Sequence, residues 1–367
     1  MTIELIQPEN VYALVVGIEK YKGGSEWDLN GPVNDALKFA NWLLDRDVKP
    51  ENIQLFLSPL DKNAGVIEDA KAKGIISAPA TREEIDTAIR YKLTNESIRG
   101  KQLYVFWGGH GIITKTNSTT RRLFFSDTDD INKWNLNFNS LVDALSTSKL
   151  NSGFEKQNFL IDACANTYCQ GLYQTIGSES AESSFTTNGE QGKAEQFILF
   201  ASAEYEVATN ESDVGTGRFS MSVLSELQGQ SLLPNMEALA KRIQANFLEK
   251  RTQSPIYWWL GNGGNQRVVD NTNPSKFSAV SLNPKQMKDL HVALIESFPD
   301  ESDLEMIVQF YLQTRLNRIS MAKKYDKVVF DVIQFVNSRG KVRDLVKGAV
   351  ETNPDSPFLS QFINFLT

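Results

Sequence analysis

The sequence predicts an α/β fold with a largely parallel sheet covered by helices on both faces, followed by a small all-helical domain. Three observations carry this. Short, continuous apolar runs recur through roughly the first 260 residues, amphipathic helical patterns sit between them, and beyond Leu282 strand signals vanish while helical spacing continues.

Tyr12–Ile18 (YALVVGI) is apolar throughout and rich in β-branched residues, as suits a strand buried on both faces. From Asn34 to Arg46, residues Ala36, Leu37, Ala40, Leu43 and Leu44 recur at helix spacing. Ile53–Leu57 reads as a second strand, and Thr81–Glu84 (TREE) matches a capping box ahead of Ile85, Ala88 and Ile89. Gln102–Trp107, Asn158–Asp162 and Gln196–Ala201 are the third, fourth and fifth strands. Helices are expected around Arg218–Leu227 and Met236–Glu249, and Pro255–Leu260 reads as a last strand. Two stretches break the pattern. Gly177–Glu195 is rich in Ser, Thr, Gly and Glu and reads as a mobile linker between two parts of one domain. Asn262–Ser281 is the second break. The expected division is a first domain over 1–268, a linker over 269–281 and a helical domain over 282–367.

Composition narrows the function. Hydrophobic residues make up 41% and charged residues 23% of the 367 residues, so a packed core is expected. The net charge of -7 argues against nucleic-acid binding and suits an acidic pocket that attracts basic substrates. Residues 282–367 hold eleven basic and eleven acidic side chains, which places the negative charge in the first domain. With only Cys164 and Cys169, a disulfide scaffold is not expected and a reducing cytoplasm fits. The first ten residues do not read as a signal peptide, and no run of about 18 apolar residues marks a membrane span.

Two strand ends carry the chemistry. His110 follows the third strand within Trp107–Gly111 (WGGHG), and Cys164 follows the fourth within Leu160–Asn166 (LIDACAN). Catalytic groups of α/β sheets gather beyond the C-terminal strand ends. Gly108, Gly109 and Gly111 are expected to let the backbone turn sharply and come close to a substrate. Adjacent strands would deliver an imidazole and a thiol to one crevice, where the thiolate attacks and the imidazole moves the proton. Cys169 reads as a packing residue, and His291, beside Leu290, as a core-edge or surface residue.

The paired GGHG and D-A-C segments, together with the opening YALVVGIEKY…LNGPVNDA, resemble the caspase and metacaspase clan, including the prokaryotic orthocaspases. The resemblance spans roughly Tyr12 to Trp259. It implies a caspase-like fold, a cysteine endopeptidase with His110 and Cys164 as its catalytic pair, and an oxyanion hole made by the N–H groups of Gly111 and Cys164. Caspases that read aspartate carry glutamine two residues before the cysteine, whereas this chain has Asp162 there. Asp35, within Leu29–Asp35, matches the early acidic position of metacaspases, and Glu206 lies where paracaspases add a third acid. Carboxylates sharing a pocket repel unless a cation lies between them, so cleavage after arginine, with lysine second, is expected. No cofactor is required by this chemistry. The family often uses calcium, for which Asp127–Asp130 (DTDD) is the candidate run. The linker at 177–195 occupies the place where caspases are processed, and Lys193 is its one basic residue.

From Leu282 to Leu366 the sequence resembles the effector-associated domains of bacterial defence and signalling systems, which are death-like helical modules. The resemblance implies a homotypic partner, a sensor or adaptor carrying a matching domain. A cap signal is expected at Ser302–Glu305. The competing expectation is a scaffold that acts through the helical domain with a silent peptidase fold. A third is the separase-related group, which has the same dyad.

Overall fold

The computed structural model describes residues 6–93, 100–115, 119–147, 153–163, 182–185, 194–202, 210–211, 215–248, 253–260, 267–270, 282–312, 316, 319–320, 322, 324–338 and 341–365. The chain divides into two compact units, Met1–Asn271 and Thr272–Thr367.

In chain order, the strands of the first unit are β1 (Val11–Ile18), β2 (Ile53–Ser58), β3 (Ser77–Pro79), β4 (Gln102–Gly108), β5 (Gly111–Lys115), β6 (Thr119–Phe124) and β7 (Asn135–Asn137). They continue with β8 (Lys156–Asp162), β9 (Glu182–Ser183), β10 (Glu195–Phe200), β11 (Asn210–Glu211), β12 (Thr216–Gly217), β13 (Ile256–Leu260) and β14 (Arg267–Asp270). Its described helices are α1 (Pro32–Leu44), α2 (Val66–Ala72), α3 (Arg82–Thr87), α4 (Phe138–Leu145), α5 (Arg218–Leu227) and α6 (Met236–Leu248).

The main sheet runs β14-β13-β10-β8-β4-β1-β2-β3. Pairing is parallel from β3 through β10, and β13 and β14 add antiparallel. Strand alternation sends Leu14, Val16 and Ile18 into one core and Val11, Ala13 and Val15 into the other. The first core is closed by α3, α4 and a small sheet β5-β6-β7-β9, the second by α1, α5 and α6. Both faces of the central strands are therefore dry, which is why they read as unbroken apolar runs.

Several expectations change here. Pro255–Leu260 is not the last strand, because β14 follows it within the supposed second break. Thr81 stands at the N-cap of α3, yet its side chain caps nothing. Four residues of the expected linker are docked. Within it, β9 pairs parallel with β7, Ser183 is 2% exposed and Phe185 5%. Glu182 accepts from Asn137 at 2.6 Å and pairs with Arg122. Ser183 Oγ donates to Asp86 at 2.8 Å, and the Arg90 guanidinium lies over the Phe185 ring. Long-range partners thus dock four residues of a polar stretch. Lys193 lies outside the described residues.

The second unit contains α7 (Pro284–Ser297), α8 (Glu301–Tyr311), α9 (Tyr325–Ser338) and α10 (Val342–Thr352), ending in a 3₁₀ turn at Ser360–Phe365. Leu290, Leu294, Leu304, Ile307, Val329, Val332 and Leu345 form its own core. The capping box sits at Asn283 and Gln286, ahead of α7, not at Ser302–Glu305. Asp300 is the N-cap of α8 and makes no side-chain cap bond. His291 Nε2 lies 2.9 Å from the Asp326 carbonyl, at the edge of this core. Among the described residues, no helix is long and apolar enough to cross a membrane.

Candidate active site

The site forms at the C-terminal ends of β4 and β8, which pair in parallel up to Gly108 opposite Asp162. Gly109 N–H then donates to the Asp162 carbonyl at 3.1 Å. The two glycines serve packing rather than a sharp turn. A Cβ on Gly108 would come 3.2 Å from Pro32 Cβ, and one on Gly109 would sit 2.9 Å from the Tyr21 hydroxyl. Gly111 opens β5 directly after His110.

His110 is fixed by a loop that sequence reasoning missed. Its backbone N–H donates to the Tyr21 hydroxyl at 2.8 Å, and its Nε2 lies 2.8 Å from the Trp27 carbonyl oxygen. A carbonyl only accepts, so Nε2 carries the hydrogen and Nδ1 is the basic nitrogen. Tyr21 and Trp27 also pack on the imidazole, with ring centroids at 5.0 and 5.9 Å. Burial pushes the His110 pKa down, opposed by the Trp27 carbonyl, so the neutral ring is favoured.

The DTDD run holds that loop. Lys22 pairs with Asp129 at 2.8 Å, and Trp27 Nε1 donates to Asp130 at 3.2 Å. Lys133 bridges to Asp130 and lies 4.3 Å over the Trp27 ring. Asp127 accepts from Arg82 N–H, and Asp129 from the N–H groups of Ile131 and Asn132. These carboxylates face protein donors, and no group of three or more His, Cys, Asp or Glu converges among the described residues.

Asp35 and Asp162 come together, from the first turn of α1 and the end of β8. Asp35 is buried. Its Oδ1 accepts from Thr216 Oγ1 at 2.6 Å and from Lys38 at 3.3 Å, and its Oδ2 from Gly217 N–H at 2.8 Å. Asp162 is partly exposed, and its Oδ2 accepts from Ser220 Oγ at 2.6 Å and Ser220 N–H at 3.1 Å. Burial and the neighbouring Asp35 charge raise Asp162 to about 6, against the Ser220 hydrogen bonds. Burial also raises Asp35, opposed by Thr216, Gly217 and Lys38. Gly31, with φ +123°, permits the approach, since a Cβ there would lie 2.6 Å from Thr216 N. Thr216 and Ser220 carried no sequence signal beyond a polar stretch before an apolar helix. Cys164, Cys169 and Glu206 lie outside the described residues. Cys164 is two positions beyond Asp162, past the buried Ala163.

A family model described as the caspase domain matches residues 10–263. The chain belongs to this family. The caspase domain is followed by a match to effector-associated domain 1 over residues 280–366. No curated protein matches the chain in sequence. Among solved structures, the chain is similar to protein GSU0716 from Geobacter sulfurreducens, with 14% identity, a TM-score of 0.47, and coverage of 70% of this chain and 95% of that one. It is also similar to caspase-1 from Spodoptera frugiperda, with 14% identity, a TM-score of 0.44, and coverage of 69% and 87%. A caspase domain implies protein substrates, and an effector-associated domain suggests a protein partner.

Proposed function

We infer that the protein is a cysteine endopeptidase that cuts proteins after arginine, and second after lysine, when its C-terminal domain is recruited by a partner bearing a matching domain. The tautomer of His110 carries the catalytic half of this reading, because Nε2–H is committed to Trp27 and Nδ1 is left to act as base. Nδ1 takes the Cys164 proton, and the thiolate attacks the scissile carbonyl carbon. The N–H groups of Gly111 and Cys164 stabilise the resulting oxyanion. The imidazolium then protonates the departing amine, leaving a thioester. Water attacks that thioester, giving up its proton to His110, and the acid product and free thiol are released.

The specificity half is supported by Asp162, partly open and backed by the Asp35 charge. A substrate guanidinium would neutralise two acids that repel each other. Glu206 is the third acid of this proposal. The helical unit supplies the address, in keeping with a role in bacterial defence or programmed death in the cytoplasm.

A fluorogenic peptide panel tests both halves. Turnover of arginine peptides that disappears in Cys164→Ala is the expected result. Equal turnover by wild type and Cys164→Ala would refute the peptidase and favour a scaffold, and preference for aspartate peptides would refute the pocket.

A further inference from the structure

We propose that Thr216 and Ser220 are specificity-determining positioning residues, whose hydroxyls hold Asp35 and Asp162 as a paired anionic wall oriented for a guanidinium. The inference rests on the reading of this pocket as a site for basic residues. Four donors within five residues converge on two carboxylates from different elements: Thr216 Oγ1, Gly217 N–H, Ser220 N–H and Ser220 Oγ. The two acids are treated differently. Asp35 is buried with both oxygens engaged, so it contributes charge rather than contact. On Asp162, both Ser220 donors fall on Oδ2, and no donor among the described residues reaches Oδ1. Among the described residues, the partly exposed carboxylate is therefore clamped through Oδ2 alone.

The N–H of Ser220 is one of the unpaired donors of the first turn of α5, so Asp162 also acts as a distant cap for that helix. A cap needs only that N–H. The hydroxyl adds a second bond to the same oxygen, which fixes the carboxylate rotation and stabilises its charged form. Bidentate recognition of arginine depends on that rotation, whereas lysine, a point charge, depends on it less. Among the described residues, Asp35 faces Asp162 from α1, Lys38 meets Asp35, and Arg218 of α5 lies over the Phe247 ring.

The test compares wild type, Ser220→Ala, Ser220→Thr and Thr216→Val with arginine and lysine peptides from pH 5 to 9. Ser220→Ala should raise KM for the arginine peptide about tenfold, with kcat within about twofold of wild type. Its preference for arginine over lysine should narrow, and the acidic limb of kcat/KM should move to higher pH. Ser220→Thr should restore all three. Thr216→Val should move the limb in the same direction by a smaller step, through Asp35. Unchanged KM and limb with only a lowered Tm would make Ser220 a structural cap and overturn the proposal. So would an equal fall in kcat with unchanged KM. Calorimetry of benzamidine binding to Cys164→Ala and to Cys164→Ala/Ser220→Ala, across the same pH range, separates the two levels. No binding to Cys164→Ala removes the basic-residue pocket itself. Binding that is identical in both proteins, with the same pH dependence, overturns only the role of Ser220.

Discussion

His110 gives its Nε2–H to the carbonyl oxygen of Trp27 across 2.8 Å, so a residue far upstream in sequence decides which imidazole nitrogen is basic. The Trp27 indole holds that carbonyl in place by packing on Tyr21, His110 and Phe124 and under Lys133. Trp27→Ala should lower kcat on an arginine peptide about tenfold or more, with a smaller change in KM, because a base held loosely loses transition-state contact rather than substrate affinity. Tyr21→Phe, which removes the hydroxyl bonded to His110 N–H, should act in the same direction by a few-fold. Steady-state kinetics of the two variants check this.

A second expectation concerns Asp162. Its pKa in the folded chain, about 6, lies above the ordinary unfolded value of about 3.9. The folded state therefore holds this proton more tightly. The stability this provides is present below about pH 4 and is lost as pH rises through about 6. At pH 7.5 the charged form costs on the order of 2 kcal/mol, less what solvent screens at a partly open site. Asp162→Asn should raise Tm by about 5 °C at pH 7.5 and change little at pH 4. Turnover of arginine peptides should collapse in the same variant. Thermal scans at both pH values, paired with kinetics, test the trade between stability and activity.

The same titration predicts a pH profile for the wild type. A guanidinium binds the ionised carboxylate, so kcat/KM for arginine peptides should fall as pH drops through about 6. Burial moves the His110 pKa down from its ordinary value, in the direction that favours the neutral base. A neutral P1 peptide that is cleaved slowly should lack the limb.

The docked segment Glu182–Phe185 gives a fourth test. Phe185→Ala should cost about 3 kcal/mol, as removal of a buried aromatic does. Urea unfolding measures that cost. Amide exchange should show protection at Ser183, which sits in the β9 pairing.

A polypeptide of residues 280–367 should fold alone, because its core is made of its own side chains. Circular dichroism should show a cooperative helical melt. Val329→Asp, which places a charge in that core, should abolish it, and Asn283→Ala should cost about 1 kcal/mol through the lost cap.

How much of this was legible in the sequence follows from the range of the forces involved. The central strands β1, β4, β8 and β10 are buried on both faces, so their residues had to be apolar, and they stood out. The helix at Arg218–Leu227 was readable from its own periodicity. The small sheet was not. Its strands are short, β6 carries Arg121 and Arg122, and β9 is two residues whose place is fixed by Arg122, Asn137 and Asp86. The S/T-x-x-E pattern misled at Thr81 and Ser302, since a cap forms only where the backbone turns the side chain onto the N–H groups. It overlooked Asn283, which caps equally well. At the site, side chains of the expected chemistry were visible, and Asp35 and Asp162 do lie together. The Trp27 contact was invisible, because any residue offers a carbonyl.

The cluster of Asp35, Asp162 and their donors is assembled across a seam. Asp35 and Asp162 precede the linker, and their donors Thr216, Gly217 and Ser220 follow it. The seam also runs through the sheet, where β8 meets β10. A chain opened between 186 and 193 would become two interlocked pieces, one carrying the two acids and the other their donors. On the proposed reading, coexpressed halves should cleave arginine peptides only on reassembly, so that turnover reports their union.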